Sequence, residues 1–276
     1  MAVMLALAAA GFYGAADFFG GIASRRTPAA TVVVLSQLAG AFVLLAAWPL
    51  VPGRLYPGDL WWGFAAGACA ALGIAALYAA LAIGRMGVVS PITAVVGASV
   101  PVIVGLWIGE RPGASALAGV ALAFVAVALV SSNAETRRLS TREPGLVLAL
   151  LSGVGIGGLY VFLSRGHADG GLALLAMTRA VSVPLLVAYA LANRESLRPA
   201  PGSTPTIALA GLLDMSANVL YVVSTRHGML VLVAMITSLY PASTVILARL
   251  FLHERLSGMQ WLGAALAAAA LVLIAA

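Results

Sequence analysis

The chain has 276 residues, of which 62% are apolar and only 9% charged, with a formal net charge of +6. Soluble domains carry about 25% charged residues, so a water-soluble fold is excluded and an integral membrane protein is indicated. All 15 basic residues are Arg, placed singly or in pairs between apolar runs, which is the pattern of loop charges beside a bilayer and not of a nucleic-acid surface.

A hydrocarbon core of about 30 Å takes roughly 20 residues of helix. Apolar runs of that length, bounded by Arg, Pro, Gly or acidic residues, predict an all-α, polytopic protein of ten transmembrane helices, at 2–23, 29–51, 59–83, 87–108, 113–132, 145–164, 171–192, 205–225, 229–251 and 257–275. The first begins at the initiator Met with no basic stretch before it and reads as a retained helix. It carries Tyr13, Asp17 and Gly20 on one face. The third holds Tyr78 and Cys69, the one cysteine, a small buried hydrophobe by its surroundings. Helix 4 holds Ser90, Pro91, Thr93, Ser99 and Pro101, and closes on Glu110-Arg111. Helix 6 is dense in Gly from Ser152 to Tyr160, as close helix packing requires. Helix 7 carries Arg179, and helix 8 a polar stripe of Gly211, Asp214, Asn218 and Tyr221. Helix 9 holds Thr237, Tyr240, Pro241, Ser243, Thr244 and Arg249, and closes on Glu254-Arg255.

The polar segment 133–144 divides the chain almost in half. A shift of 144 residues lays Ile92–Arg111 on Ile236–Arg255 without a gap, matching Ile-Thr, Ala-Ser and the terminal Glu-Arg. Shifts of 140 to 143 lay Ser24-Arg25 on Ser164-Arg165, Ser36-Gln37 on Thr178-Arg179 and Leu77-Tyr78 on Leu220-Tyr221. Residues 1–132 and 145–276 therefore read as two five-helix repeats. Five is odd, so the repeats enter the membrane from opposite sides, the inverted arrangement of many secondary transporters, whose substrate site lies near the midplane between them.

With these motifs the sequence resembles the drug/metabolite transporter superfamily, in particular its EamA-type ten-helix exporters, over essentially its whole length. The resemblance rests on the helix 4 and helix 9 endings, Trp107 to Pro112 and Phe251 to Leu256, each closing on Glu-Arg, and on the aromatic-Gly pair Tyr13-Gly14. Arg179 also falls where such proteins often carry an Arg, whereas Gln37 stands at the matching place in the first repeat. The resemblance implies an exporter of metabolites or drugs with a central cavity lined by helices 1, 3, 4, 6, 8 and 9. Helix 1 is similar to that of the small multidrug transporters, with Asp17, Gly20 and Arg25 at the spacing of their Glu, Gly and Lys; helix 6 has no acid at the matching place near Gly157.

A charge at the bilayer centre costs about 2.5 to 3.5 kcal/mol on insertion scales, so Asp17, Arg179, Asp214 and Arg249 are the ionisable candidates. Asp17 beside Tyr13 and a gap at Gly20 suits a flat or cationic ligand, the alternative being a surface pairing with Arg25 or Arg26. Asp214 faces a cavity or pairs with Arg179. Burial without a counter-charge favours the neutral carboxylic acid, which suits Asp17 or Asp214 to carry a proton. The expected substrate-binding residues are Tyr13, Asp17, Tyr78, Ser90, Thr93, Tyr160, Asp214, Asn218, Tyr221, Thr237 and Tyr240. Pro91, Pro101 and Pro241 free backbone carbonyls in helices 4 and 9 and mark these as the gate, with Glu110-Arg111 and Glu254-Arg255 as gate or cap elements and Arg179 as a structural partner. Arg249 is an interfacial residue or a partner of Glu254.

His167, His227 and His253 lie at separate helix ends without the spacing of a metal site, and there is no phosphate-binding loop or nucleophile elbow, so neither metal nor cofactor is expected. The resulting expectation is a secondary transporter in a bacterial inner membrane, exporting amine-bearing, amino acid-like or cationic metabolites or drugs, coupled to H+ and monomeric, with a dimer as the alternative. The runner-up is facilitative exchange of neutral or aromatic amino acids, with the tyrosines as the pocket; a membrane-embedded enzyme or binding module is the alternative of another class. Orientation is contested. The odd-numbered connections hold Arg25, Arg26, Arg85, Arg137, Arg138, Arg142, Arg194, Arg198 and Arg255, against Arg54, Arg111, Arg165 and Arg226 in the even ones, which places both termini outside. The resemblance implies both termini inside.

Overall fold

The computed structural model describes residues 1–51, 53, 54, 56–83, 86–131, 144–167, 169–252 and 258–275. These form α1 (Ala2–Ser24), α2 (Ala29–Ala47), α3 (Pro57–Ile83), α4 (Met86–Trp107), α5 (Ala114–Ser131), α6 (Pro144–Ser164), α7 (Ala173–Ala192), α8 (Thr204–Thr225), α9 (Leu230–Thr237), α10 (Tyr240–Leu252) and α11 (Gly258–Ala275). No strand occurs among the described residues. Lipid offers no partner to a backbone N–H or C=O, so helices that satisfy these groups internally are the available form for such apolar runs. Seven helical stretches are long and apolar enough to cross a membrane: Ala2–Ser24, Ala29–Leu50, Pro57–Ile83, Gly145–Ser164, Ala173–Ala192, Thr204–Thr225 and Leu230–Phe251. The protein is a multi-pass membrane protein. The expected fourth, fifth and tenth runs are helical as α4, α5 and α11.

The ninth run departs from expectation because it is two helices, interrupted at Ser238 and Leu239. Pro241 falls in the first turn of α10, where a missing N–H leaves no helical carbonyl deprived. In α4, by contrast, the helix continues through Pro91 and Pro101. Of the three prolines, Pro241 thus stands at a helix start, and Pro91 and Pro101 lie within α4. Pro101 leaves the carbonyl of Gly97 without its usual helical donor, and that oxygen lies against Gly157 of α6.

Glycines set how closely the helices approach. A Cβ on Gly155 would meet the Gly73 backbone of α3, and one on Gly153 or Gly157 would strike Val96 or Val100 of α4. The Gly-dense stretch of helix 6 is thus a packing surface for α3 and α4. On the far side, Gly211 of α8 presses on the Ser36 carbonyl of α2, which a Cβ would strike.

Hydrogen bonds also sort the connections onto two faces. On the N-terminal face, Ser224 Oγ donates to the Ala2 carbonyl at 2.8 Å, and the Arg54 N–H to the Asp169 carbonyl at 2.9 Å. On the opposite face, Thr31 Oγ1 donates to the Ser196 carbonyl at 2.7 Å, and the Ala200 N–H to Thr27 Oγ1 at 3.0 Å.

Gly211→Ala is expected to force α2 and α8 apart and to lower stability by about 1 to 3 kcal/mol, the usual penalty for overpacking. Gly11→Ala, with nothing within 4 Å of the new methyl, is expected to be neutral; thermal unfolding of the detergent-solubilised variants compares the two.

Candidate functional site

Elements from both halves of the chain converge on a small, partly open cavity of about 20 Å³, room for about one water molecule. Its wall is Tyr13 and Asp17 of α1, Ile74, Leu77 and Tyr78 of α3, Ile156, Leu159 and Tyr160 of α6, Asp214 of α8 and Tyr240 of α10. Of the expected substrate-binding residues, Tyr13, Asp17, Tyr78, Tyr160, Asp214 and Tyr240 thus come together. The tyrosines form a chain of rings: Tyr13 lies 5.8 Å from Tyr160, which stacks on Tyr221 at 4.6 Å. The Tyr240 hydroxyl donates to the Ser90 carbonyl at 3.3 Å, tying α10 to α4.

The two acids differ in their surroundings. Asp214 accepts a hydrogen bond from the Arg179 guanidinium at 2.5 Å, and both side chains are largely buried. The expected alternatives for Asp214 are therefore both realised, since it faces the cavity and also joins α7 to α8. Asp17 is 8% exposed and, among the described residues, makes no hydrogen bond or ion pair with any side chain, Arg25 and Arg26 included. The glycine gap beside it is not open: the ring of Tyr78 fills it, with Cζ and the hydroxyl where a Gly20 Cβ would collide with them. That space serves helix packing, which corrects the expectation of a ligand slot at Gly20.

The remaining expected binding residues lie off the cavity wall. Asn218 donates to the Asp214 carbonyl at 2.8 Å, Tyr221 to the Tyr160 carbonyl at 3.2 Å and Thr93 to the Ala149 carbonyl at 3.2 Å. Ser90 and Thr237 are buried, with side-chain oxygens that have no partner. Behind Arg179, Ser182 of the same helix donates to Gln37 Oε1 at 2.5 Å, so the matched pair of positions in the two halves meets near one place.

Glu110 is a cap on a distant helix. Its two carboxylate oxygens accept the N–H groups of Leu230 and Val231, each at 2.8 Å, at the start of α9. A helix N-terminus presents unpaired donors and a positive dipole end, which a carboxylate satisfies. The chain turns into this position at Gly109, whose φ of +98° suits glycine. Arg111 closes its own helix end by donating to the carbonyls of Leu106 and Glu110. Glu254 and Arg255 lie outside the described residues. Arg249 lies over the Trp261 ring at 5.7 Å.

Sequence reasoning missed the four apolar wall residues Ile74, Leu77, Ile156 and Leu159, because an apolar side chain facing a cavity looks the same as one facing lipid. The signal available was the shared turn, since Leu77 precedes Tyr78 and Leu159 precedes Tyr160.

A multi-pass helical protein with a polar, tyrosine-lined cavity closed by both halves of its chain has the form of a small-solute carrier. Its two halves, residues 1–132 and 143–276, each match the EamA-like transporter family, and the chain belongs to that family, whose members are membrane transporters. A solved chain described as "Crystal structure of protein" is similar at a TM-score of 0.76 and 15% identity, over 99% of this chain and 95% of that one, which shows a common fold. No curated protein matches this sequence.

Removing one member of a buried pair leaves a charge uncompensated, so Arg179→Leu is expected to destabilise by about 3 kcal/mol or more, and the double variant Arg179→Leu/Asp214→Leu by less than the sum. Glu110→Gln is expected to lose about 1 kcal/mol through the weakened cap. Thermal or denaturant unfolding in detergent measures both.

Proposed function

We propose that the protein is a secondary active exporter of small amine-bearing metabolites or drugs, working by alternating access and driven by proton exchange at Asp17. The observation that carries this is the contrast between the acids: Asp214 is already neutralised by Arg179, and Asp17 faces the same cavity unpaired. An unpaired carboxylate in a desolvated cavity attracts a cation or a proton, and either one excludes the other. Tyr13, Tyr78, Tyr160 and Tyr240 supply aromatic faces for an ammonium and flat surfaces for its apolar part.

The reading takes the chain as ten spans in two inverted five-helix repeats, 1–132 and 145–276, within a bacterial inner membrane. Support comes from the bonds that gather alternate helix ends. The start of α1 meets the end of α8, and the end of α4 meets the start of α9, as strict alternation across a membrane requires. Glu110 then acts as a closure of the N-terminal face, linking α4 to α9 across the repeats while α10 carries Tyr240 at the cavity. The tyrosine lining also favours the second reading, facilitative exchange of neutral or aromatic amino acids, in which Asp17 has no coupling role.

Purified protein in proteoliposomes separates the two. Under an imposed pH gradient, efflux of a cationic amine such as phenethylamine is expected to follow the gradient, to fall at least about tenfold in Asp17→Asn and to be retained in part by Asp17→Glu. Flux that is independent of pH and unchanged in Asp17→Asn would overturn the proton-coupled reading and favour exchange.

A further inference from the structure

A second cavity, of about 260 Å³, opens on the N-terminal face and shares no wall residue with the central one. Four helix termini meet around it: the ends of α6 and α8 and the starts of α3 and α7. Two fixed charges of opposite sign line it, Asp59 and Arg226. Asp59 is fully buried. Its Oδ1 accepts both the backbone N–H of His167 and the ring Nδ1, each at 3.0 Å, and Tyr56 stacks on that ring at 4.3 Å. Its Oδ2 is buried without a partner. That oxygen lies beside Gly170, where a Cβ would stand 3.0 Å from it.

Arg226 is anchored by one bond, from Nη2 to the Gly171 carbonyl at 2.5 Å. Burial pulls its guanidinium below the usual range, and the charges of Asp169 and Asp59 act in the opposite sense. A simple ammonium entering here would meet the guanidinium, and a simple carboxylate would meet Asp59. A molecule bearing both groups satisfies each. Leu163, Leu174 and Val222 supply apolar wall for a side chain, and the volume, just under that of drug-sized sites, suits a small metabolite.

We infer that this vestibule is a second binding site, taking the zwitterionic head of an apolar α-amino acid, with its ammonium on Asp59 Oδ2 and its carboxylate on Arg226. The site deepens the transporter reading and rests on it for the reason a solute passes this way; α6 carries Leu163 and Ser164 within one turn of the central-cavity residue Tyr160. A solute held here stands at the mouth of the route to Asp17.

The test is equilibrium dialysis of the full-length protein in detergent with radiolabelled L-phenylalanine, phenethylamine and 3-phenylpropionate, in an Asp17→Asn background that silences the central acid. That background is expected to bind one equivalent of phenylalanine, and the two analogues at least about tenfold more weakly, because each leaves one buried charge unpaired. Adding Asp59→Asn or Arg226→Gln is expected to weaken phenylalanine binding by a similar factor. His167→Ala, which removes a ring contact and leaves Oδ2 in place, is expected to change it less than about threefold. Phenylalanine binding unchanged in both Asp59→Asn and Arg226→Gln would overturn the site, as would a folded background that binds no phenylalanine. Failure of the central reading shows separately, as amine flux that survives Asp17→Asn while vestibule binding still depends on Asp59 and Arg226.

Discussion

Charge neutrality inside the bilayer governs this structure. A carboxylate or guanidinium there is tolerated when it meets its opposite or when something passing through neutralises it. Asp214 and Arg179 meet the first condition and in doing so fix α7 against α8. With that pair closed, Asp17 is the acid of the central cavity that has no side-chain partner among the described residues, and the tyrosines and the apolar wall surround it. The pairing therefore does more than join two helices. It sets two acids in one cavity in different surroundings.

The packing that holds the acids in place is built from small residues, because lipid tails are as apolar as leucine and give helices little hydrophobic reason to associate. Gly155 against Gly73 and Gly211 against Ser36 bring backbones into contact, which gains dispersion and fixes the angle at which α3, α6 and α8 present Tyr78, Tyr160 and Asp214. The position of each polar group thus depends on several positions that carry no side chain.

Much of this was legible before the fold was known. Asp17, Asp214 and Arg179 stood out because apolar helices exclude charge, and the duplicated halves were visible in the recurring Glu-Arg and Ile-Thr pairs. What the sequence could not distinguish was decided by neighbours. Asn218 and Tyr221 share a stripe with Asp214, yet the stripe turns from the cavity to bonds on its own helix and on α6. Pro101 and Pro241 look alike as helix breakers, but one is absorbed within α4 and the other begins a helix. Glu110 could be read as a helix-end charge, whereas its partner, 120 residues further along the chain, is set by the fold alone.

The interruption at Ser238 and Leu239 makes α9 a separate body of eight residues. At a rise of 1.5 Å per residue it is about 12 Å long, well under half the hydrocarbon thickness. Glu110 holds its outer end and Tyr240, just past its inner end, touches the cavity. The capped outer end and the cavity wall are thus joined by one short helix and a single turn, so the spacing between them is set by where that helix stops.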